Sequence, residues 1–167
     1  DLMLILIPRH PDRSDEVAEL LRQQGLSFAV RSQDAWPRSG EAVYLADTLG
    51  ELGNWYALTD VVFLGGSLLP IGGLNLLEVV QAGAAGLSGP HVTSFAETYA
   101  DMRDTGAAEI VEDAETLTRA VHGLLQGGAT RDAALQAAET IVRNKSDALG
   151  SIAARLIHIL NLEEERR

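Results

Sequence analysis

Glu78 is the single charged residue between Val61 and Pro90, a stretch that also holds seven of the chain's sixteen glycines. An apolar run, Val61–Leu64, gives way to Gly65-Gly66-Ser67 and then to a loop with Pro70 and Gly72-Gly73. Asn75 and Glu78 follow, three apart, at the start of an apolar helical pattern. Each feature suits a polar ligand. Glycine lets backbone approach a ligand closely and adopts positive φ. A helix starting near Gly73 would aim free N–H groups and the positive end of its dipole at an anion. Asn75 and Glu78 would share one face of that helix. A lone acid in an uncharged setting needs a hydrogen-bonding partner, because a buried carboxylate is costly without one. A vicinal diol such as a ribose is one such partner. The spacing is neither G-x-G-x-x-G nor a Walker loop. A glycine turn followed by a partly exposed acid has the same spelling.

Other turns carry polar groups. Pro8-Arg9-His10 sets a fixed cation and a titratable ring at the end of an apolar run. Arginine makes bidentate contacts to phosphate or carboxylate, although a surface Arg and a His capping the next helix fit equally well. Asp47–Leu52 places Gly50 beside Glu51, where a base or ribose could lie against backbone, or where Asp47 or Thr48 caps a short helix. His91 follows Gly89-Pro90 and has a structural reading as well. His122 and His158 fall in helical patterns, as surface residues do. Gly65-Gly66-Ser67 is not a nucleophile elbow, and no acid–base pair accompanies the serine. No His/Asp/Glu spacing points to a metal.

The elements that must position these turns alternate along the chain. Strands are expected at Leu2–Ile7, Leu26–Arg31, Ala42–Ala46, Val61–Leu64, Ala84–Ser88 (the weakest pattern) and Glu109–Val111. The first is continuous and apolar, as in a strand buried on both faces. Helices are expected at Asp12–Gln24, closed by Gly25, and in a short segment carrying Leu52, Trp55 and Tyr56. Further helices are expected at Asn75–Gly83, at Ser94–Thr105 with Ser94 and Glu97 as a capping box, and at Asp113–Leu125 with Asp113 as cap. Two more, Thr130–Arg143 and Asp147–Leu160, complete the pattern. Such alternation predicts an α/β fold, a Rossmann-like parallel sheet of about six strands with helices on both faces. In such sheets ligands bind beyond the carboxyl ends of the strands. No repeat or linker interrupts the pattern, so residues 1–160 read as one domain and 161–167 as a charged tail.

The chain has 167 residues, 46% of them hydrophobic, enough for a real core. Its formal net charge of −11 argues against broad nucleic-acid binding, which needs a basic surface. It has no cysteine, which excludes disulfides, cysteine zinc sites and a cysteine nucleophile, and fits a reducing compartment. The opening DLMLILIP is too short for a signal peptide or a span. It starts inside a strand pattern, as an excised domain would. The glycine-rich stretch is too rich in Gly and Pro for a transmembrane helix.

Four segments stand in order between Pro8 and Phe95: PRHPDR at Pro8–Arg13, DTLGELGNWYALTD at Asp47–Asp60, FLGGSLLPIGGLNLLE at Phe63–Glu78 and GPHVTSF at Gly89–Phe95. Together they resemble the C-terminal domain of the 3-deoxy-D-manno-octulosonate (Kdo) transferases, GT-B glycosyltransferases of lipopolysaccharide synthesis. The resemblance implies CMP-Kdo as donor, lipid A precursor as acceptor, inversion at the anomeric centre, and neither cofactor nor obligatory metal. It implies donor binding by Arg9, His10, Leu49, Gly50, Glu51, Ser67, Gly72, Gly73, Asn75 and Glu78. Within that set Arg9 would meet the donor's anionic groups, and the Leu49-Gly50-Glu51 turn would pack near the nucleotide. Gly72, Gly73 and Asn75 would hold phosphate and sugar, and Glu78 the ribose hydroxyls. It further implies that the catalytic base, a Glu, and the membrane-anchoring segment belong to an N-terminal domain, with none of the catalytic residues in these 167 positions. The whole protein would then work at the cytoplasmic face of the inner membrane, and this part alone would be soluble and inactive.

The sequence departs from the family at Leu74, where His or Gln is usual, and at Val92-Thr93-Ser94 in the last segment. Gly86 stands where retaining GT-B enzymes often carry a second acid, in keeping with inversion. Two other functions fit the same pattern. One is a GT-B transferase or epimerase domain for a UDP-sugar. The other is a non-catalytic interaction domain that kept the fold and lost the site.

Overall fold

A computed structural model describes residues 2–92 and 96–164, excepting the side chains of 97, 145 and 161–164. The expected Ser94 cap, its Glu97 partner, the end of the GPHVTSF segment and most of the tail lie outside the described positions or side chains. The chain forms two compact units, residues 1–55 and 56–167. Each is a small parallel α/β layer.

In the first unit β1 (Leu4–Leu6), β2 (Phe28–Val30) and β3 (Val43–Leu45) form a parallel sheet in the order β1-β3-β2. Side chains alternate between its faces, as the strand period of two requires. Tyr44 and Ala46 pack with Ala29 and Trp55 on one side. Leu45 and Val30 pack with Ala18 of α1 (Ser14–Gln23) on the other. β1 is not buried on both faces as expected. Among the described residues it pairs with β3 alone, and Leu4 at its start is 54% exposed. The doubly covered strand is β3. Gly25 closes α1 as expected, at φ +67, with its N–H on Arg22 O at 2.9 Å and that of Leu26 on Leu21 O at 3.0 Å. That 5→2 and 6→1 pair is a Schellman motif, and its left-handed residue suits glycine.

In the second unit β4 (Val61–Leu64), β5 (Ala85–Ser88) and β6 (Ala108–Ile110) form a parallel sheet in that order. α3 (Leu76–Gln81) and α4 (Ala96–Thr105) build one apolar layer with Leu64 and Ala108. α5 (Ala114–Leu125) builds the other with Ala85 and Leu87. Asp113 caps α5 as expected, in a reciprocal box with Thr116. The weakest strand pattern forms the central strand. β5 is buried throughout, and its small residues admit the helices. A Cβ on Gly86 would overlap the Leu76 side chain. Packing thus overrides a poor strand propensity.

The two expected C-terminal helices are one, α6 (Ala129–Glu164). Asn144-Lys145-Ser146 cost only tenths of a kcal/mol each in helix propensity, about 0.7 at most, and contain neither Gly nor Pro. That is too little to break a continuous hydrogen-bond ladder. Ala138 and Ile141 are buried in the unit's core, whereas Leu149, Ile152, Leu156 and Ile159 are exposed. Among the described residues no helix is long and apolar enough to cross a membrane.

Candidate functional site

Because all strands of a unit run parallel, the turns after β1 and β3 share one end of the first sheet, and those after β4 and β5 share one end of the second. These are the carboxyl ends, where parallel sheets present loops and helix amides to ligands.

In the first unit Arg9 and His10 are exposed. His10 starts a 3-10 turn, Pro11–Arg13, through its carbonyl, which accepts from Arg13 N at 3.0 Å. Its ring makes no capping bond. Asp47 does not cap α2 (Leu52–Tyr56), and neither does Thr48, because the helix begins at Leu52, beyond their reach. Asp47 binds inward instead. It is 6% exposed and accepts from Ser14 Oγ at 2.6 Å, Ser32 N at 2.8 Å and Ser32 Oγ at 2.7 Å. The bonds tie the turn after β3 to the start of α1 and to the turn after β2. Burial pushes this carboxyl up, but the bonds from Ser14 and Ser32 outweigh it and hold it below the usual aspartate range.

Leu49 is 79% exposed, and Gly50 sits at φ +84, a left-handed position that favours glycine. Glu51 accepts from Arg31 Nε at 3.2 Å and Nη2 at 3.0 Å, and from the Thr48 hydroxyl. The Arg31 fork, with help from Thr48, holds Glu51 below the usual carboxylate range. The Arg31 guanidinium in turn lies over the Trp36 ring, 5.6 Å from its centroid.

In the second unit Ser67 is fully buried. Its hydroxyl donates to Leu64 O at 2.6 Å and accepts from Gly89 N at 2.7 Å, and its carbonyl accepts from His91 N at 3.0 Å. Both roles of the hydroxyl are spent inside the fold, where it joins the loop after β4 to the turn after β5. Gly89 must be glycine there, because a Cβ would overlap the Ser67 carbonyl. Gly72 and Gly73 are both left-handed, at φ +109 and +70. A Cβ on Gly73 would also sit 3.0 Å from Val92 Cγ1 and 3.1 Å from His91 O.

α3 starts at Leu76 rather than near Gly73. Asn75 caps it, its Oδ1 accepting from Leu77 N at 3.1 Å. Asn75 Nδ2 donates to Glu78 Oε1 at 3.0 Å, so the two share a face as expected. Glu78 is exposed, so the expectation that a costly buried acid needed a ligand is corrected. The pair keeps capacity for one: Asn75 retains an amide N–H, and Glu78 retains Oε2. Tyr99 of α4 donates its hydroxyl to Leu74 O at 2.8 Å, just before the cap.

Sequence reasoning missed Ser14, Arg31, Ser32 and Tyr99. Each acts on a turn at least twenty residues from it, or in the case of Ser32 fifteen residues from Asp47. Each carries a polar side chain beside a strand end or on a helix, a signal that becomes specific only once strand order is known.

A cavity of about 280 Å³ in the second unit is lined by Gly86, Leu87, Thr105, Gly106, Glu109 and Thr130 among others. It lies at the amino ends of β5 and β6, away from the glycine loop. Its small, mostly apolar lining offers no convergent donors for an anion, so the loops remain the better candidate. No group of residues that could hold a metal ion occurs among the described residues.

No protein-family model matches the chain. A 3-deoxy-D-manno-octulosonic acid transferase of Haemophilus influenzae is 34% identical over 167 residues, 99% of this chain and 38% of that protein. One of Bordetella pertussis is 41% identical over 137 residues, 81% of this chain and 32% of that protein. The chain thus spans less than two fifths of the length of these relatives. A crystal structure of the C-terminal CMP-Kdo binding domain of WaaA from Acinetobacter baumannii matches with a TM-score of 0.81 at 34% identity. The match covers 84% of this chain and 74% of that one.

Proposed function

This chain belongs to the 3-deoxy-D-manno-octulosonic acid transferase family, and from that premise we propose that it is the donor-binding half of a GT-B glycosyltransferase that uses CMP-Kdo. The likeness to a solved CMP-Kdo binding domain carries this reading. In it the whole protein moves Kdo to a lipid A precursor with inversion, at the cytoplasmic face of the inner membrane. The acceptor hydroxyl attacks the anomeric carbon opposite the phosphate, CMP leaves, and a Glu of the N-terminal half takes the proton. The membrane anchor belongs to that half too. The activated donor carries its own leaving group, and the reading, following the family resemblance, includes no cofactor and no obligatory metal.

The roles follow the chemistry of each turn. Arg9 meets the donor's anionic groups, since a guanidinium matches phosphate and carboxylate bidentately; His10 stands beside it. Leu49 and Gly50 offer an apolar side chain and open backbone to the nucleotide, and Glu51, locked by Arg31, sets the turn. Gly72, Gly73 and Asn75 hold phosphate and sugar, and Glu78 Oε2 accepts from ribose hydroxyls. Ser67 acts from inside, fixing the loop rather than touching the donor.

Ligand-dependent stability tests the reading. CMP at roughly 100-fold over its Kd should add about 2.7 kcal/mol of stability, by mass action. UMP at equal concentration should add less, and these 167 residues alone should transfer no Kdo. Preference for UMP would move the chain to a UDP-sugar enzyme. A flat response to every nucleotide would favour an interaction domain.

A further inference from the structure

The glycine loop before α3 has no regular hydrogen-bond ladder to hold it, and left-handed glycines leave it many alternatives. One side of it is fixed by Gly73 against His91 and Val92. On the other side the Leu74 side chain packs against the core layer, and among the described residues one side-chain hydrogen bond from another element reaches the Leu74 backbone. Tyr99, 3% exposed, reaches from α4 and donates its hydroxyl to Leu74 O at 2.8 Å. The Leu74 carbonyl shares its peptide plane with the N–H of the capping Asn75, so this bond sets the direction of that plane and ties down the residue that follows Gly73. The Tyr99 ring is buried in the layer with Leu76, Val79 and Met102, which leaves the hydroxyl little freedom to move. Burial pushes its phenol up, so it stays a donor at ordinary pH.

We propose that Tyr99 is a positioning residue for donor binding: by fixing the Leu74 carbonyl it aims the Gly73 and Asn75 groups at the donor phosphate. This rests on the reading of the loop as the phosphate and sugar subsite. Tyr99 does not touch the donor. Its contribution should therefore fall on ligands with a phosphate and spare those without one.

The test is Tyr99→Phe, which keeps the ring and removes the hydroxyl. The loss of one hydrogen bond should weaken CMP about two- to tenfold. Cytidine, measured by the same titration, should weaken much less. Amide exchange at Gly73 and Asn75 should quicken without nucleotide present, while exchange in the β5 strand stays slow. CMP and cytidine weakening alike, unchanged CMP affinity, or a variant that no longer folds would each overturn the inference and leave the Tyr99 hydroxyl a structural group of the fold with no separate role in phosphate binding. If the unsubstituted chain bound neither ligand, the functional reading would fail by itself. Exchange at Gly73 and Asn75 would then decide whether Tyr99 positions the loop.

Discussion

The Asp47–Glu51 turn of the first unit is held by charge, whereas the Gly65–Asn75 loop of the second is held by neutral hydroxyls and close backbone contact. Asp47 gathers two serines, and Glu51 takes the Arg31 fork. Ser67, Gly89 and Tyr99 hold the other loop with no carboxylate among their hydrogen-bond partners in the described residues. Both turns do the same job, ordering an irregular segment beyond a parallel strand. The difference follows from the space available. Asp47 sits beside polar turns, where a carboxylate finds donors for both oxygens. The loop after β4 presses on the Gly89 backbone so closely that a Cβ does not fit there. Charge tolerates small displacement and responds to pH; close packing tolerates neither bulk nor displacement but ignores pH.

The sharpest way to break this contrast is Gly89→Ala. The added Cβ meets Ser67 backbone rather than a flexible side chain. Overpacking of that kind should cost about 3 kcal/mol in urea unfolding and abolish the nucleotide response. A cost near zero would mean that the loop is loosely held after all.

Asp47→Ala comes next. It strands the Ser32 N–H and removes charge-assisted bonds, at a cost of about 2–3 kcal/mol at neutral pH. The folded Asp47 carboxyl lies below the ordinary value of 3.8, so its stabilisation is present above that value and is lost as pH falls through the lower, folded one. The gap between the parent and Asp47→Ala should therefore narrow in acid, below about pH 4, while the part due to the stranded Ser32 N–H persists. The Gly89→Ala deficit should not narrow, because no proton is exchanged at that contact. Parallel acid dependence of the two deficits would erase the distinction.

The smallest effect is expected from Arg31→Ala. The Arg31–Glu51 pair is about a quarter exposed on each side. Its loss should cost about 0.2–1 kcal/mol, and less in high salt, measured by thermal unfolding. A larger, salt-independent cost would place the pair with the packing contacts of the other unit.

What could be read from spelling was local. Gly25 after a helical run implies a left-handed closure, because only the preceding turn of helix is involved. Asp113 before an apolar helix implies a cap, and Thr116 three residues on completes it. Asn75 and Glu78 meet because three residues nearly complete a helical turn. The alternation of strands and helices gave the parallel α/β class, since parallel strands need crossovers. What misled was also local. Asp47 looked like a cap for the nearest helix, and its partners lie fifteen and thirty-three residues away. The polar triplet after Arg143 looked like a break, although its propensity cost is small beside a continuing ladder.

Amino-acid order by itself determined the class of fold, the left-handed turns and the family, because dihedral preference and short-range spacing are properties of neighbouring residues. Tertiary structure decided which strand is central, that Ser67 faces inward while Glu78 faces out, and that Tyr99 meets Leu74. Those depend on which distant segments a parallel sheet brings side by side, and burial there is settled by the close approach of whole layers rather than by any residue's own preference.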